Sequence, residues 1–449
     1  MKQEKCPLEE LSHLAEKLIS FARRGGADEV EVTIGDGREF SVDVRLGKIE
    51  NLVQAQTRAV SLRLIKDKRT AFASSSDLNF DTLKRLIKQA IERAKLANRD
   101  PHSGLPASFA RRVDTHSLKL YDPEMAVIDP DRKIRLALET ERIALQDKRI
   151  TNSHGASLVT NEGLTVLANS KGFLASLEQT FCSLSVGLQA GETDNLVEDY
   201  WFSADRFFHR LEPPDEVAKK AVQRTIRQLR PRKIKTQTVP VIFEPSMTAW
   251  LLGFLSVCVS GVAVYQKATF LADRLGSRIG NENVTVIDDG LLPGRLGSRP
   301  FDTEGVACRR TVVVDKGILR HFLLNTYAAR KLKLRSTGNA DGTGVSPNNF
   351  YLLPGSASPD DIIASTKRGF LLIRTIGHGL NPVTGDISRG AFGLWVEDGH
   401  IAYPVSEVTI SGNLEGILKN IEQVGNDLDF RTPVCGPTIK VAELTVAGL

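Results

Sequence analysis

One apolar run dominates the second half of the sequence. From Pro245 to Gln266 there is no charged residue, and AWLLGFLSVCVSGVAV within this stretch is strongly apolar. Its length approaches the about 20 residues that a helix needs to cross a membrane. Small and polar residues such as Gly253 and Ser256 interrupt the run, and the sequence contains no second run of this kind. We therefore predict a buried core helix over about 246–265 and no contact with a membrane.

Composition limits the kinds of partner. The chain has 449 residues, of which 41% are hydrophobic and 25% are charged, as in globular proteins of two or three domains. The net charge of +5 is small for this length, and no basic run alternates with aromatic residues. These features predict that the chain does not bind nucleic acid.

The cysteines and the first residues both bear on cellular location. No CxxC pair occurs, which argues against a zinc knuckle and against a disulfide framework. The cysteines lie far apart, at Cys6, Cys182, Cys258, Cys308 and Cys435. The opening residues, MKQEKCPLEE, are charged where a signal peptide needs an apolar segment. We therefore expect a protein of the reducing cytoplasm.

The pattern of helices and strands indicates the fold class. Phe40, Val42 and Val44 alternate with polar residues as in a half-buried strand, and helical stripes occur in both halves. Because helices and hairpins mix without a regular βαβ alternation, the sequence predicts an α+β fold. The polar segment RPRKIKTQT is the best linker. It predicts an N-terminal α+β domain over 1–230 and a β-rich C-terminal domain over 238–449.

Most common catalytic motifs are absent from the sequence. There is no GxSxG for a nucleophile elbow and no GxxxxGK[ST] for a phosphate loop. No HExxH motif presents two imidazoles on one helical face. The glycine-rich stretch TGNADGTG lacks the lysine of a phosphate cradle and is typical of a flexible loop.

A polar, glycine-rich segment precedes a strongly β-forming run. This segment, GHGLNPVTGDISRGAFG, contains His378, Asp386 and Arg389. Polar loops that lead into a sheet often build sites, so Asp386 and Arg389 are candidate substrate-binding or interface residues. A long ordered turn with a purely structural role is the alternative.

Two further polar segments contain candidate residues. In SPNNFYLLPG, the amides of Asn348 and Asn349 could bind the backbone of a peptide lying along a sheet edge. In GSRPFDTEGVACRR, the charged residues favour an ion-pair network over a substrate contact. These charged residues are Arg299, Asp302 and Glu304.

Several of these segments together resemble one family. LGSRPFDTEGVA, STGNADGTGVSPNNFYLLPG, NPVTGDISRGAFGLWVEDGHIAYPVSEVTISGNL and VGNDLDF are similar, in this order, to the C-terminal half of the TldD/PmbA proteins. ADEVEVTIGDGREFSVDVRLGKIENL resembles the start of the same family, so the likeness covers nearly the whole chain. It is closest to the PmbA branch, also called TldE and once described as a modulator of DNA gyrase.

The resemblance implies a fold and an activity. The implied fold has a mixed α/β N-terminal domain and a β-rich C-terminal domain. The implied activity is that of a cytoplasmic proteolytic assembly in which a TldD subunit pairs with a TldE subunit. TldD-type chains carry HExxxH on a helix, and a later cysteine completes a zinc site. That zinc ion polarises a peptide carbonyl and activates water, with the glutamate as general base.

This sequence departs from the TldD motif at its central positions. Aligning LLHExxxH with LLGFLSVC puts Gly253 and Phe254 at the first His and Glu positions, and Cys258 at the second His position. Cys435 falls near the third ligand, and His378 is a remote additional candidate. Two sulfurs without an imidazole make a poor catalytic site, so we expect no metal here and zinc in a TldD-like partner. The apolar run is then a degenerate active-site helix.

Three functions stay open on the sequence alone. The first is a metal-free partner of a TldD-like zinc metallopeptidase that cleaves unfolded or modified peptides. The second is an enzyme that uses Cys258 or Cys435 as a nucleophile or ligand. The third is a peptide-binding module, or a homodimer, without catalysis. A link to DNA gyrase has no support in the charge pattern.

Overall fold

Within the residues that the structure describes, the N-terminal part of the chain forms one sheet and four α-helices. A computed structural model describes residues 8–111, 115–192 and 195–449. The elements of the first part are α1 (Leu8–Arg24), β1 (Glu29–Arg45), β2 (Lys48–Lys66), β3 (Arg69–Ser75), α2 (Phe80–Leu96), α3 (Pro130–Ala144), β4 (Ile150–Asn169), β5 (Leu174–Ala190), β6 (Val197–Asp205) and α4 (Pro214–Ile226). Short 3-10 turns occur at Met125–Val127 and Phe208–Arg210.

The sheet is antiparallel, and its strand order is β3-β2-β1-β4-β5-β6. Val30 and Val32, near the start of β1, pack in one apolar cluster with α1 and α2. Phe40 and Val42, farther along β1, pack in a second cluster with α3 and α4. Alternate strand residues share a face, so all four helices cover the same face of the sheet. The opposite face of the sheet is free of these helices, and Arg63 of β2 contacts Glu304 of the second part of the chain.

The second part of the chain is richer in strands. Its elements are β7 (Gln237–Phe243), α5 (Pro245–Cys258), α6 (Gly261–Tyr265), β8 (Val286–Asp289), β9 (Arg310–Asp315), β10 (Ile318–Leu319), α7 (Thr326–Lys331), β11 (Ala340–Asp341), β12 (Gly344–Val345), β13 (Asn349–Leu352), α8 (Pro359–Ala364), β14 (Arg368–Ile376), β15 (Leu380–Asn381), β16 (Asp386–Glu397), β17 (His400–Asn413), α9 (Leu414–Lys419), β18 (Ile421–Val424), β19 (Val434–Cys435) and β20 (Ile439–Ala447).

These strands form two larger sheets and a small hairpin, β11-β12. One sheet has the order β10-β9-β8-β13-β19. In the other, β14-β7-β20-β17-β16 closes into a ring because β14 also pairs with β16, while β15 and β18 pair at its margins. Most pairs are antiparallel, and the described residues show no regular βαβ alternation, so the predicted α+β class is confirmed. The domain boundary between residues 230 and 238 stays a prediction.

The apolar run forms two helices rather than the single helix predicted over 246–265. Helix α5 ends at Cys258, and α6 begins at Gly261. Here the N–H of Gly261 donates to the carbonyl of Leu323 at 2.7 Å. A Cβ at Gly261 would lie only 2.4 Å from a methyl carbon of Leu324. This close approach bends the chain. Among the described residues, no helix combines the length and apolar character that crossing a membrane requires.

A buried arginine joins the first sheet to the second part. Arg206 follows β6, and its guanidinium donates to main-chain carbonyls from both parts of the chain. Its distances to the carbonyl oxygens of Arg295, Leu296 and Ser298 are 3.0, 2.9 and 3.1 Å. Burial lowers the pKa of Arg206 to about 10. This contact joins the end of β6 to the loop at residues 295–298.

Candidate functional site

Helix α5 carries the three positions that the resemblance aligns with the TldD motif, and these positions point in different directions. A Cβ added at Gly253 would meet nothing within 4 Å, so this position faces open space. Phe254 is only 3% exposed, and Cys258 is fully buried. Val257 is 51% exposed, so the helix has one open flank although it carries no charge. The flank at Gly253 is therefore accessible, whereas Phe254 and Cys258 belong to the core.

The candidate cysteines are buried in separate apolar surroundings. Cys258 lies in the main core cluster of the second part, and burial raises the pKa of its thiol to about 12. Cys435 lies in another cluster with Ile287 and Tyr351, and burial raises its thiol pKa to about 12 as well. Both thiols therefore stay protonated at neutral pH and are poor nucleophiles and ligands.

The remaining metal candidates are not gathered around α5. His378 is exposed in the turn between β14 and β15. Within residues 8–111, 115–192 and 195–449, no three His, Cys, Asp or Glu side chains are grouped so that they could hold a metal ion. Cys6 lies outside the described residues.

Asn348 and Asn349 are buried and already bonded within the chain. The amide nitrogen of Asn348 donates to the Asp288 carboxylate at 2.8 Å. The amide nitrogen of Asn349 donates to the carbonyl of Asp289 at 2.6 Å, and its oxygen accepts the N–H of Gly297 at 3.0 Å. In this structure the two amides organise a buried polar network. Their role in substrate binding stays a prediction.

The structure brings Arg389 beside α5. Its guanidinium lies 5.3 Å from the ring centroid of Trp250 on that helix, a cation–π contact. Its Nε donates to the carbonyl of Ile376. Asp386 is exposed farther along the same hairpin, and hydrogen bonds from Thr384 and then Asn413 lower its pKa. Arg389 therefore borders the open flank of α5, whereas Asp386 belongs to the turn.

A cavity of about 320 Å³ lies between α5 and the outer strand β6. Trp201 and Phe202 of β6, Ala249 of α5 and Gly436 are among its lining residues. Cys435 also contributes to the lining. These aromatic residues do not appear among the sequence candidates. The run Tyr-Trp-Phe was the available signal, because three consecutive aromatic residues in a strand cannot all face one core.

A buried carboxyl cluster lies elsewhere between the two parts of the chain. Glu304 pairs with Arg63 of β2 at 3.0 Å, and the Glu31 carboxylate lies 3.8 Å from the same guanidinium. Asp302 accepts the N–H of Ala340 at 2.9 Å. The ion-pair network predicted for Arg299, Asp302 and Glu304 is therefore wrong in its cation, because Arg63 pairs with Glu304, whereas Arg299 donates to Asn348. Burial raises the pKa of Glu31 to about 7, and it also raises that of Asp302 to about 7.

The chain matches one protein family over most of its length. Residues 30–94, 124–229 and 236–448 match domain 1, the central domain and the C-terminal domain of the PmbA/TldA metallopeptidases. Together the three segments define a chain with the architecture of that class. The chain belongs to the PmbA/TldD family, and relatives named PmbA match it at 36% and 34% identity, which confirms the resemblance read from the sequence.

Individual relatives are similar over almost their full lengths. "Metalloprotease PmbA" of Escherichia coli O157:H7 is 36% identical over 442 residues, which cover 98% of this chain and 96% of that protein. "Metalloprotease PmbA homolog" of Haemophilus influenzae is 34% identical, with 99% and 97% covered.

Solved structures are similar in fold. A putative modulator of DNA gyrase from Bacteroides thetaiotaomicron superimposes with a TM-score of 0.91 at 27% identity, covering 98% of this chain and 99% of that one. TldE from Thermococcus kodakarensis gives 0.87 at 24% identity, with 97% and 100% covered. At that identity the second match is evidence for the fold alone.

Substitutions at the adjacent positions Gly253 and Phe254 are expected to change the free energy of unfolding by very different amounts. Gly253→His adds a side chain to an open flank, so the free energy of unfolding should change by less than about 1 kcal/mol. Phe254→Glu puts a carboxylate into the core and should lower it by at least about 4 kcal/mol. Urea denaturation followed by circular dichroism measures both, with Phe254→Leu as the apolar control. Equal losses for Gly253→His and Phe254→Glu would contradict the described orientation of α5.

The carboxyl cluster predicts a pH-dependent stability. Because the pKa of Glu31 is raised from 4.5 to about 7 on folding, its stabilising contribution is complete below about pH 4.5 and is lost as the pH rises through about 7. At pH 8, Glu31→Gln should therefore raise the free energy of unfolding by on the order of 2 kcal/mol, and the gain should shrink towards pH 5.

Urea denaturation between pH 5 and pH 8 tests this expectation. The matched control is Glu92→Gln, since Glu92 forms an exposed ion pair with Lys95. A stability difference for Glu31→Gln that stays constant across this pH range would rule out the assigned titration.

Proposed function

We propose that this chain is the non-catalytic, PmbA/TldE-type subunit of a TldD/TldE metallopeptidase assembly. The observation that carries the proposal is Phe254, a buried phenyl ring at the position where the resemblance calls for the general base. A phenyl ring cannot take a proton from water. Peptide cleavage is therefore assigned to a TldD-like partner that retains HExxxH.

The groups around α5 do not fit a catalytic zinc ion. Such a site uses three protein ligands, usually with imidazoles among them, and keeps one position open. Gly253 offers no donor atom, and the buried thiols of Cys258 and Cys435 are protonated and belong to separate apolar clusters. No step of the reaction is therefore assigned to a metal in this chain.

In the proposed assembly, this chain contributes surfaces that bind the peptide or the partner subunit. The open flank of α5 at Gly253, bordered by the Trp250–Arg389 contact, is a wall against which an extended peptide or the partner can lie. Zinc in the partner would polarise the scissile carbonyl and activate water. The proposed substrates are unfolded or modified peptides, because an extended chain fits such surfaces without unfolding first.

Two alternatives make different predictions. A cysteine-dependent enzyme requires a thiolate, which the raised pKa values of Cys258 and Cys435 disfavour. A peptide-binding module or homodimer without catalysis is the second alternative, and the cavity beside β6 favours its peptide-binding form. A cytoplasmic location stays a prediction. It agrees with the free thiols of Cys182, Cys258, Cys308 and Cys435.

Metal content and hydrolysis, measured together, test the proposed role. The chain is purified alone and with its TldD-like homologue, metals are quantified by mass spectrometry, and cleavage of an unstructured peptide is followed. We expect zinc and hydrolysis only when the homologue is present, and the homologue alone serves as a control. Stoichiometric zinc or cleavage in this chain alone would overturn the proposal, as would failure of the two chains to co-purify.

Arg389 provides a sharper test of the α5 flank. In the two-chain complex, Arg389→Ala should lower hydrolysis by roughly tenfold, the effect of losing about 1.4 kcal/mol of contact free energy. Arg320→Ala is the matched control, because Arg320 forms an exposed ion pair with Asp315. Wild-type activity in the Arg389→Ala complex would remove this hairpin from the proposed surface.

A further inference from the structure

The cavity between β6 and α5 has a lining that is mainly aromatic and apolar. Trp201, Phe202 and the 57%-exposed Tyr200 come from β6. Tyr200 and Phe202 stack with ring centroids 6.2 Å apart. Ala249 and Gly436 leave room on the opposite side. At about 320 Å³, the cavity is at the lower end of ligand pockets and matches one side chain better than a whole cofactor.

The charged groups at the cavity neutralise one another. Arg431 pairs with Asp429 at 2.5 Å, and its guanidinium lies 3.8 Å from the ring centroid of Trp201. Arg224 pairs with Glu244 at 3.1 Å. Two cations and two anions therefore face the cavity. A charged ligand would have to disrupt one of these pairs, whereas an uncharged group can lie against the rings without doing so.

The main chain of β6 adds a second kind of contact. In the described part of the chain, β6 is the last strand of its sheet and pairs only with β5. The N–H of Tyr200 donates to Asp199 Oδ1 rather than to β5, so it points to the outer edge. Residues two apart in a strand direct their N–H and C=O groups to the same edge. The main-chain groups of Phe202 therefore point outward beside the cavity.

We propose that this cavity is a subsite for one uncharged aromatic side chain of an extended peptide that adds as a strand to the outer edge of β6. Main-chain hydrogen bonds to β6 hold the peptide, and the rings of Tyr200 and Phe202, which share one face of β6, contact the inserted side chain. The proposal goes beyond the proposed function, because it assigns binding to this chain alone. The peptide subsite can therefore be disproved while the role in the assembly holds, and the role in the assembly can be disproved while the subsite holds.

Short capped peptides test the ligand class. The probe is N-acetyl-Thr-Thr-Phe-Thr-Thr-amide, and the comparison peptides carry Ala, Asp or Lys in place of Phe. Calorimetric titration of the full chain should give at least about tenfold tighter binding of the Phe peptide than of the other three, because only its ring buries a large apolar area. Equal affinities for Phe and Ala, or a preference for Asp or Lys, would overturn the proposal.

Strand addition has its own test. Methylating the peptide nitrogen that follows Phe removes a donor and hinders pairing, so this peptide should bind at least about tenfold more weakly than the probe. N-acetyl-phenylalanine amide alone should also bind much more weakly. If either compound binds as tightly as the probe, the β6 edge is not used.

A cavity-filling substitution locates the subsite. Ala249→Leu keeps a good helix former in α5 and fills the cavity, so it should abolish the preference for Phe over Ala. Ser256→Leu adds the same side chain two turns along the same face, outside the cavity lining, and should leave the preference unchanged. Circular dichroism establishes that both variants are folded. A retained preference in folded Ala249→Leu, or a lost preference in Ser256→Leu, would refute the location.

Discussion

The buried guanidinium of Arg206 holds the two parts of the structure in one arrangement. Burying a charge is costly unless its donors are bonded, and here main-chain carbonyls from both parts accept them. The loop at Arg295–Ser298 that receives these bonds also supplies Ser298, which bonds Asn349 in the polar network. The carboxyl cluster and the cavity beside β6 both contain residues from the two parts that this contact joins.

The structure also gives a physical account of the charge-free run. A catalytic helix must keep polar ligands near its substrate, and those groups need partners when they are buried. With Phe254 and Cys258 in the motif positions, the inner side of α5 simply joins the apolar core. The outer side keeps an accessible flank at Gly253. These residues therefore give a stable helix that still presents an accessible flank.

Local sequence patterns predicted much of the fold, but they could not predict contacts between residues that are far apart in the sequence. The alternation of Phe40 and Val42 correctly indicated a half-buried strand, because that signal lies within a few residues. The end of α5 depends on the approach of Gly261 to Leu324, which no local pattern encodes. Likewise, an exposed amide and one that serves a buried carboxylate look the same in sequence. The partner of Asn348 is Asp288, 60 residues away.

The pairing of β1 with β4 has a consequence for how the chain folds. In this pair Glu31 lies opposite Asn169, so the middle of the sheet is built from residues far apart in sequence. The first two family segments, 30–94 and 124–229, each supply strands to that one sheet. During synthesis, the β1–β2 hairpin emerges long before β4, and until then the N–H and C=O groups along the free edge of β1 have no strand partner. The order of synthesis thus creates an interval of aggregation risk that ends only when β4 arrives.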